Sequence, residues 1–221
     1  MIRSIRHVSR LLGLARLLAK HDALFALEIA GAPKPLLRLA AVGITADRSG
    51  RPGERLARTL NEAGPSFIKL GQALSTRSDI LGEEVSADLS TLQDNLPPFP
   101  TDQAKAAIEE ELGAPVEDLF AEFDDTPVAA ASIAQVHFAV TFDGREVAVK
   151  ILRPGIEAAF QRDVELFRWI AEMAERTQPS LRRLKPMASV ETLADTVELE
   201  MDLRFEAAAA AELAENFAGD P

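Results

Sequence analysis

The chain has 221 residues, which is enough for one large domain or two small ones with a buried core. It contains no cysteine, which excludes disulfides, thiolate metal sites and cysteine nucleophiles, and its net charge of −11 argues against nucleic acid as a general partner. Alanine and leucine dominate and aromatic residues make up only 5% of the chain, so we expect helix to outweigh strand.

A basic helix is predicted at the start of a first helical region, residues 1–48. Residues 1–20 contain no acid, and apolar residues at helical spacing lie beside the cations Arg3, Arg6, Arg10, Arg16 and Lys20. Such a helix either lies on a membrane surface or packs on the rest of the protein, and both alternatives stay open. Its apolar run is too short to cross a bilayer. We therefore expect no transmembrane segment and a cytoplasmic location, with peripheral association at the inner membrane through residues 1–20 as the membrane alternative.

A second helical region is predicted for residues 52–125. The break Gly64–Pro65 interrupts it, and the helical pattern that follows runs to Leu96, where a proline-rich segment forbids helix. Thr101 is predicted to cap a further helix that ends at Leu112, directly before a glycine.

The third region, residues 126–221, begins with a change of the hydrophobic period from 3.6 towards 2. Residues 134–142 and 145–152 are predicted as the strands of a hairpin, and Asp143–Gly144 between them predicts a type I′ turn, with positive φ at both residues. A long helix and a final helical region, residues 189–217, are expected to follow. The buried stripe of the long helix is predicted to be Phe160, Val164, Phe167 and Ile170. The predicted fold class is therefore α+β.

Lys150 is the first candidate for chemistry, because it ends the second predicted strand in the run Val147-Ala148-Val149-Lys150. In a protein-kinase small lobe, a lysine placed in this way holds the α- and β-phosphates of ATP and pairs with a glutamate of the following helix. A strand that ends in an exposed lysine is also ordinary, so the signal by itself is weak.

The segment before this hairpin is rich in small residues and occupies the position of the phosphate-covering loop of a kinase. Its residues are Ala129, Ala130, Ala131, Ser132, Ile133, Ala134 and Gln135. Alanines stand where glycines would be expected, and their Cβ atoms restrict positive φ and the close approach of backbone to phosphate. A small-residue strand packed in a core is the alternative.

Lys69, Gly71 and Gln72 form a third candidate within a predicted helix. Lys69 and Gln72 are three residues apart and share a face. Gly71 in mid-helix costs about 1 kcal/mol relative to alanine, which indicates close packing or a bound group. A lysine on a solvated helix face is the alternative.

Glu200, Asp202 and Glu206 form a fourth candidate in the last helical region. Asp202 and Glu206 are predicted to share a helical face, where two carboxylates repel each other unless a cation is near. A solvated acidic face is the alternative. Glu206 matters because the kinase ion pair needs a helix glutamate after the strand lysine.

Together the four segments resemble the UbiB family, atypical kinase-like proteins that support ubiquinone biosynthesis, and the similarity extends from about Pro52 to the last residue. The matching residues are Lys69 to Gln72 for the Lys-x-Gly-Gln helix, Ala129 to His137 for the alanine-rich loop, Lys150 for the nucleotide-contacting lysine, Glu200 and Asp202 for the Glu-x-Asp motif, and Glu206 for the glutamate that pairs with the lysine.

The resemblance implies a partial kinase-like small lobe preceded by a mainly helical extension, with ATP and Mg²⁺ as cofactors. It implies that Lys150, Glu206 and residues 129–135 bind the nucleotide. Lys69 is expected to approach Glu200, in a regulatory contact that blocks protein substrates and also includes Gly71, Gln72 and Asp202. The implied partners are ATP, a ubiquinone-precursor lipid and other proteins of ubiquinone biosynthesis.

The catalytic loop and the metal-binding residues of the family have no counterpart in the sequence, so we expect no catalytic residue and no metal ligand in this chain. We therefore expect a truncated protein that by itself neither hydrolyses ATP nor binds it tightly. One alternative is a membrane-surface lipid-binding or scaffold module whose nucleotide site only sets its conformation. Another is a helical adaptor, which explains the periodicity but not the four motifs.

Overall fold

The structure, a computed structural model, describes residues 2–92 and 96–219, and for residues 2–7 it describes the backbone alone. The predicted surface cations Arg3 and Arg6 therefore lie outside the described side chains. The helices are α1 (Ile2–Lys20), α2 (Phe25–Ile29), α3 (Lys34–Ala41), α4 (Pro52–Ala63), α5 (Pro65–Ser75), α6 (Ser78–Leu81), α7 (Glu83–Leu89), α8 (Thr101–Leu112), α9 (Val116–Leu119), α10 (Ile156–Thr177), α11 (Pro186–Met201) and α12 (Leu203–Asn216), with a 3₁₀ helix at Pro179–Leu184. The strands are β1 (Glu122–Phe123), β2 (Ala129–Ala130), β3 (Ala134–Val140) and β4 (Glu146–Leu152).

The chain forms two compact units that interleave along the sequence. The helical unit comprises Met1–Gln93 and Ala158–Ala194, and the sheet unit comprises Asp94–Glu157 and Asp195–Pro221. This division does not test the sequential regions 1–48, 52–125 and 126–221, which stay predictions. The fold class is α+β, as predicted, because helices dominate and a small antiparallel sheet accompanies them.

The centre of the helical unit is α4, against which α1, α5 and α7 pack. The predicted break between α4 and α5 is confirmed: Gly64 has φ +111° and Pro65 begins α5. Proline suits this place because the first helical N–H needs no partner within the helix. Phe67 of α5 meets Phe167 of α10 edge to face, with ring centroids 5.1 Å apart, and both rings are buried.

The apolar stripe of α1 is buried within the helical unit from residue 11 onward. The buried residues, each no more than 4% exposed, are Leu11, Ala15, Leu18 and Ala19. Two of its cations form ion pairs: Arg10 with Asp163 of α10, and Lys20 with Glu62 of α4 at 2.6 Å. For this part of α1, the structure shows packing on the protein.

The sheet unit contains an antiparallel sheet in which β3 pairs with β1, β2 and β4. The predicted hairpin of β3 and β4 is confirmed. Helix α8 packs on β4, where Ile151 joins Ala104 and Ile108 in a buried core. Because side chains alternate along a strand, Lys150 lies on the opposite face of the sheet from Ile151.

The turn between β3 and β4 is not the predicted type I′ turn. Gly144 has φ +83°, but Asp143 is not among the described non-glycine residues with positive φ. Gly144 N–H donates to the Thr141 carbonyl at 2.9 Å, and Thr141 N–H donates to the Arg145 carbonyl at 3.0 Å. This pattern is that of a longer hairpin loop that needs only one left-handed residue, which glycine supplies.

Two predicted helix limits and one predicted helix cap are wrong. Helix α7 ends well before Leu96. Thr101 is the first residue of α8 and does not cap it: Pro100 occupies the N-cap position, and the Thr101 hydroxyl donates to the Asp125 carbonyl at 2.8 Å. The last helical region begins at Pro186, which suits a first helical turn, and not at Ser189.

Candidate functional site

Lys150 and Glu206 form an ion pair within the sheet unit, although 56 residues separate them in the sequence. Lys150 Nζ donates to Glu206 Oε2, so that β4 supplies the cation and α12 the anion. The two side chains remain 34% and 59% exposed, and ion pairs at such exposure add little to stability. The main effect of the pair is to hold the ammonium group in one place.

Apolar side chains lie next to Lys150 on its face of the sheet. Val136 is its direct partner across the strands, and Ala148 lies opposite Phe138 two residues further along. These four side chains share one face because the strand alternation has a period of two. Phe138 is 55% exposed. The face therefore offers an open apolar surface beside a single ammonium group, which suits a flat base followed by a phosphate.

The alanine-rich segment forms a short hairpin between β2 and β3. Ala131 N–H donates to the Ala134 carbonyl at 2.8 Å, which closes a turn through Ser132 and Ile133. No residue of this segment has positive φ, so glycine is not required and alanine is unstrained. Ser132 and Ile133 are 0% and 6% exposed, which places their side chains inside the protein.

Arg153 fixes the conformation of this segment, and the sequence analysis did not single it out. Its N–H donates to the Ile133 carbonyl at 2.8 Å, and its Nε and Nη2 donate to the Ala131 carbonyl at 3.0 and 2.8 Å. Nη2 also donates to the Pro97 carbonyl at 2.8 Å, and the guanidinium lies 5.5 Å from the centre of the Phe99 ring. The sequence signal that could have identified Arg153 is a cation at the end of a predicted strand, directly before Pro154-Gly155.

A chain of buried hydrogen bonds crosses the same region. Phe99 N–H donates to Gln135 Oε1 at 2.9 Å, Gln135 Nε2 donates to His137 Nε2 at 2.9 Å, and His137 Nδ1 donates to the Asp124 carbonyl at 2.7 Å. The direction is fixed because a carbonyl only accepts, so Nδ1 must have the hydrogen. Gln135 and His137 are fully buried, and the side chain of Gln135 therefore faces inward. The sequence signal that could have indicated this hydrogen-bonded chain is that Gln135 and His137 are polar residues on the core-facing side of one strand.

Asp202 caps α12, and the prediction that it shares a helical face with Glu206 is wrong. Helix α11 ends at Met201, and the Asp202 carboxylate accepts from Arg204 N–H at 3.2 Å, from Nε at 2.7 Å and from Nη2 at 2.6 Å. Hydrogen bonding from Arg204 lowers the pKa of Asp202 below its ordinary value. The two carboxylates do not need a shared cation, because Arg204 compensates Asp202 and Lys150 compensates Glu206.

Close packing explains the glycine in the Lys-x-Gly-Gln helix. A Cβ atom at Gly71 would lie 2.5 Å from Leu92 Cδ1 and 2.6 Å from Leu60 Cδ1. Because those atoms belong to the buried core of the helical unit, the helix approaches its neighbours only without a side chain at this position. Of the two predicted explanations, the structure shows close packing.

Lys69 and Gln72 lie half-buried on α5, and Glu200 is exposed on α11. Lys69 and Gln72 belong to the helical unit, and Glu200 belongs to the sheet unit. The expected approach of Lys69 to Glu200, and the regulatory contact that depends on it, stay predictions.

Among residues 2–92 and 96–219, no group of three or more His, Asp or Glu residues could hold a metal ion. No helix in the same ranges is both long and apolar enough to cross a bilayer.

Known proteins confirm the class that this arrangement indicates. Residues 91–221 match the ABC1 atypical kinase-like domain, so the chain is an atypical kinase-like protein. The "Probable protein kinase UbiB" of Marinobacter nauticus is 46% identical over 169 residues, which cover 76% of this chain and 31% of the relative. The protein of the same name from Azotobacter vinelandii is 46% identical over 175 residues, which cover 79% of this chain and 33% of the relative.

The chain belongs to the UbiB family within this class. It spans about a third of the length of these curated relatives. Among solved structures, the complex of Rv3197 with erythromycin from Mycobacterium tuberculosis is 34% identical, with a TM-score of 0.48, and the match covers 73% of this chain and 41% of that one.

Proposed function

We propose that the chain binds the nucleotide of an atypical kinase-like ATPase. Lys150 contacts the phosphates of ATP, Glu206 holds Lys150 in place, and residues 129–135 cover the nucleotide. The ion pair between Lys150 and Glu206 is the main support, because it joins a strand lysine to a helix glutamate as kinase phosphate sites do.

The surroundings of the pair support a specific placement of the nucleotide. The base lies on the apolar face formed by Val136, Phe138 and Ala148, next to the ammonium group that meets the phosphates. The loop contributes backbone groups and the small side chains of Ala129 to Ala131, because the side chains from Ser132 to Gln135 are buried. ATP enters as its magnesium complex, and the phosphates bind the ion.

A role in ubiquinone biosynthesis is the second part of the proposal, and family membership supports it. In this role the chain acts with a ubiquinone-precursor lipid and with other proteins of the pathway.

A nucleotide titration of the 221-residue chain tests the site. We expect weak, saturable shifts of backbone amide resonances in residues 129–136 and at Lys150 when ATP and Mg²⁺ are added. Lys150→Met should abolish them. Lys105→Met is the matched control, because Lys105 pairs with Asp125 at 2.7 Å elsewhere in the sheet unit. Identical titrations of the Lys150→Met variant and the unmodified chain would refute the assigned role of Lys150.

A chimera tests the biosynthetic role separately. The chain replaces the corresponding segment of the M. nauticus relative in a bacterium that lacks its own copy, and cellular ubiquinone is measured. We expect the chimera to restore ubiquinone and its Lys150→Met variant to fail at equal protein level. Full restoration by the variant would contradict the nucleotide role, whereas failure of both chimeras would contradict the role in the pathway.

Peripheral binding to a membrane surface is a second candidate function, and the uneven charge of the chain favours it. The net charge is −11, yet residues 1–43 have a large excess of cations. These are Arg3, Arg6, Arg10, Arg16, Lys20, Lys34 and Arg38, against the acids Asp22 and Glu28. Basic segments are attracted to anionic membranes. Vesicle binding that persists in the Lys150→Met variant would separate this function from the nucleotide site.

A further inference from the structure

Helix α3 has one side buried in the helical unit and one side open to solvent. Leu37 and Ala40 are 4% and 0% exposed on the side where α3 packs on α1. Leu39, and Val42 directly after the helix, are 59% and 65% exposed. Two large apolar side chains are therefore adjacent on the outer side.

Two cations accompany these side chains. Lys34 and Arg38 are exposed and lie four residues apart, so they share a face of the helix. Neither forms an ion pair with any residue that the structure describes. The outer side of α3 thus has uncompensated positive charge beside exposed apolar surface.

The exposed apolar residues at the end of the chain have acidic surroundings. Phe205, Leu213 and Phe217 are 57% to 61% exposed at the end of the chain, but α12 has three glutamates and a single arginine. Single exposed apolar residues are ordinary on protein surfaces. In contrast to α12, the outer side of α3 has two exposed apolar residues together with two cations, in a protein of opposite overall charge.

We infer that the outer face of α3, formed by Lys34, Arg38, Leu39 and Val42, binds an anionic phospholipid surface. Leu39 and Val42 enter the boundary between headgroups and acyl chains, and the two cations meet lipid phosphates. The inference rests on the membrane-surface candidate and is independent of the nucleotide site. It places the contact on α3 because the apolar stripe of α1 is buried from Leu11 onward.

Vesicle flotation of the 221-residue chain tests the inference, with phosphatidylcholine vesicles that either contain or lack phosphatidylglycerol. We expect binding only to the anionic vesicles. The double variant Leu39→Glu with Val42→Glu should reduce the bound fraction to the level seen with neutral vesicles. The double variant Lys34→Gln with Arg38→Gln should weaken binding by about fivefold for each cation removed.

Matched controls are available in the sheet unit. Leu112→Glu with Val128→Glu changes two side chains that are 59% and 53% exposed, and Lys105→Gln with Arg145→Gln removes the same charge as the α3 variant. Both controls should bind anionic vesicles like the unmodified chain, and circular dichroism should show that every variant keeps its helix content.

Three results would overturn the inference, and they have different meanings. Undiminished binding of both α3 variants would place the lipid surface elsewhere and leave the membrane function intact. Equal binding to neutral vesicles would refute the role of charge. Absence of binding by the unmodified chain would refute the inference and the membrane candidate together, and it would leave the role of Lys150 untouched.

Discussion

Glu206 determines where the Lys150 ammonium lies, although it makes no predicted contact with the phosphates. Glu206→Ala removes the only hydrogen-bond partner that the structure shows for this ammonium. We expect nucleotide affinity to fall several-fold, because a freely rotating lysine must be ordered on binding. The melting temperature should change little, since exposed ion pairs contribute about 0–1 kcal/mol.

Glu212→Ala is the control for this prediction, because Glu212 is exposed on the same helix. Nucleotide titration and thermal melting are measured on all three proteins. If Glu206→Ala binds nucleotide as well as the control does, the glutamate does not position the lysine.

Gln135 is predicted to stabilise the fold more than it contributes to nucleotide binding. Gln135→Leu leaves Phe99 N–H and His137 Nε2 without their partner in a fully buried place. Each of the two orphaned groups costs about 1–3 kcal/mol, so we expect the free energy of unfolding to fall by about 2–6 kcal/mol. Urea unfolding measures this. Gln103→Leu on the exposed side of α8 should change it by less than about 0.5 kcal/mol, and equal losses in both variants would contradict the buried chain.

The family resemblance predicted that Lys150 pairs with Glu206, because the motif defines both residue types and their order, and the structure shows this ion pair. It could not identify Arg153, because this side chain donates to the backbone carbonyls of Pro97 and Ala131. Nor could it identify Phe99 as a partner of Gln135, because Phe99 contributes its backbone N–H. Backbone groups leave no residue-type signal. For Gly71, the sequence predicted that a glycine within a helix costs stability. It could not predict that Leu60 and Leu92 leave no room for a side chain at this position.

At the scale of helices, the contact of α4 with α7 depends on Gly53, which has no side chain. A Cβ atom at Gly53 would lie 2.4 Å from Asp88 Cβ, and Asp88 is buried and held by Arg51 through Nε at 3.2 Å and through Nη2. Gly53→Ala should therefore lower the free energy of unfolding by about 1–3 kcal/mol, despite the better helix propensity of alanine.

Gly13→Ala in α1 is the control, because no atom lies within 4 Å of the added Cβ. Without a clash, the propensity gain should raise stability by up to about 1 kcal/mol. Denaturation of the two variants is compared with that of the unmodified chain. A gain in stability from Gly53→Ala would show that α4 and α7 can separate freely.

Glu62 links α4 to the end of α1 and should make this link sensitive to acid. It accepts hydrogen bonds from Lys20 Nζ at 2.6 Å and from His21 Nε2 at 2.7 Å, and these bonds lower the pKa of Glu62 below its ordinary value of 4.5. A carboxylate with a lowered pKa stabilises the fold above its unfolded pKa and loses that contribution as the pH falls through the folded one. The link should therefore weaken below about pH 4.5.

Melting temperatures between about pH 6 and pH 3 test this, with Glu62→Gln as the variant. The variant should be less stable than the unmodified chain at pH 6, and the difference should shrink on acidification. Glu110→Gln on the exposed side of α8 is the control and should show no such convergence. Parallel curves for Glu62→Gln and the unmodified chain would show that the carboxylate does not couple α1 to α4.

At the scale of the whole molecule, periodicity predicted the order of helices, hairpin and helices, because each of these elements has a local pattern. It could not decide what the apolar stripe of α1 contacts, since a membrane and a protein core favour the same pattern. Nor could it show that the helical unit draws on two distant stretches of the chain, because no local signal marks which stripes face each other.

That interleaving predicts that residues 1–93 do not fold stably alone. In the whole chain, the stretch Ala158–Ala194 belongs to the same unit and supplies five side chains no more than 4% exposed: Phe160, Val164, Leu166, Phe167 and Ala174. Without them, Phe67 loses its edge-to-face partner and the facing helices expose apolar surface. A fragment of residues 1–93 should show low helicity and a broad, weakly cooperative urea transition, whereas a fragment of residues 1–194 should unfold cooperatively. The idea that the two stretches form one unit would be wrong if the short fragment unfolded as sharply, and at the same urea concentration, as the long one.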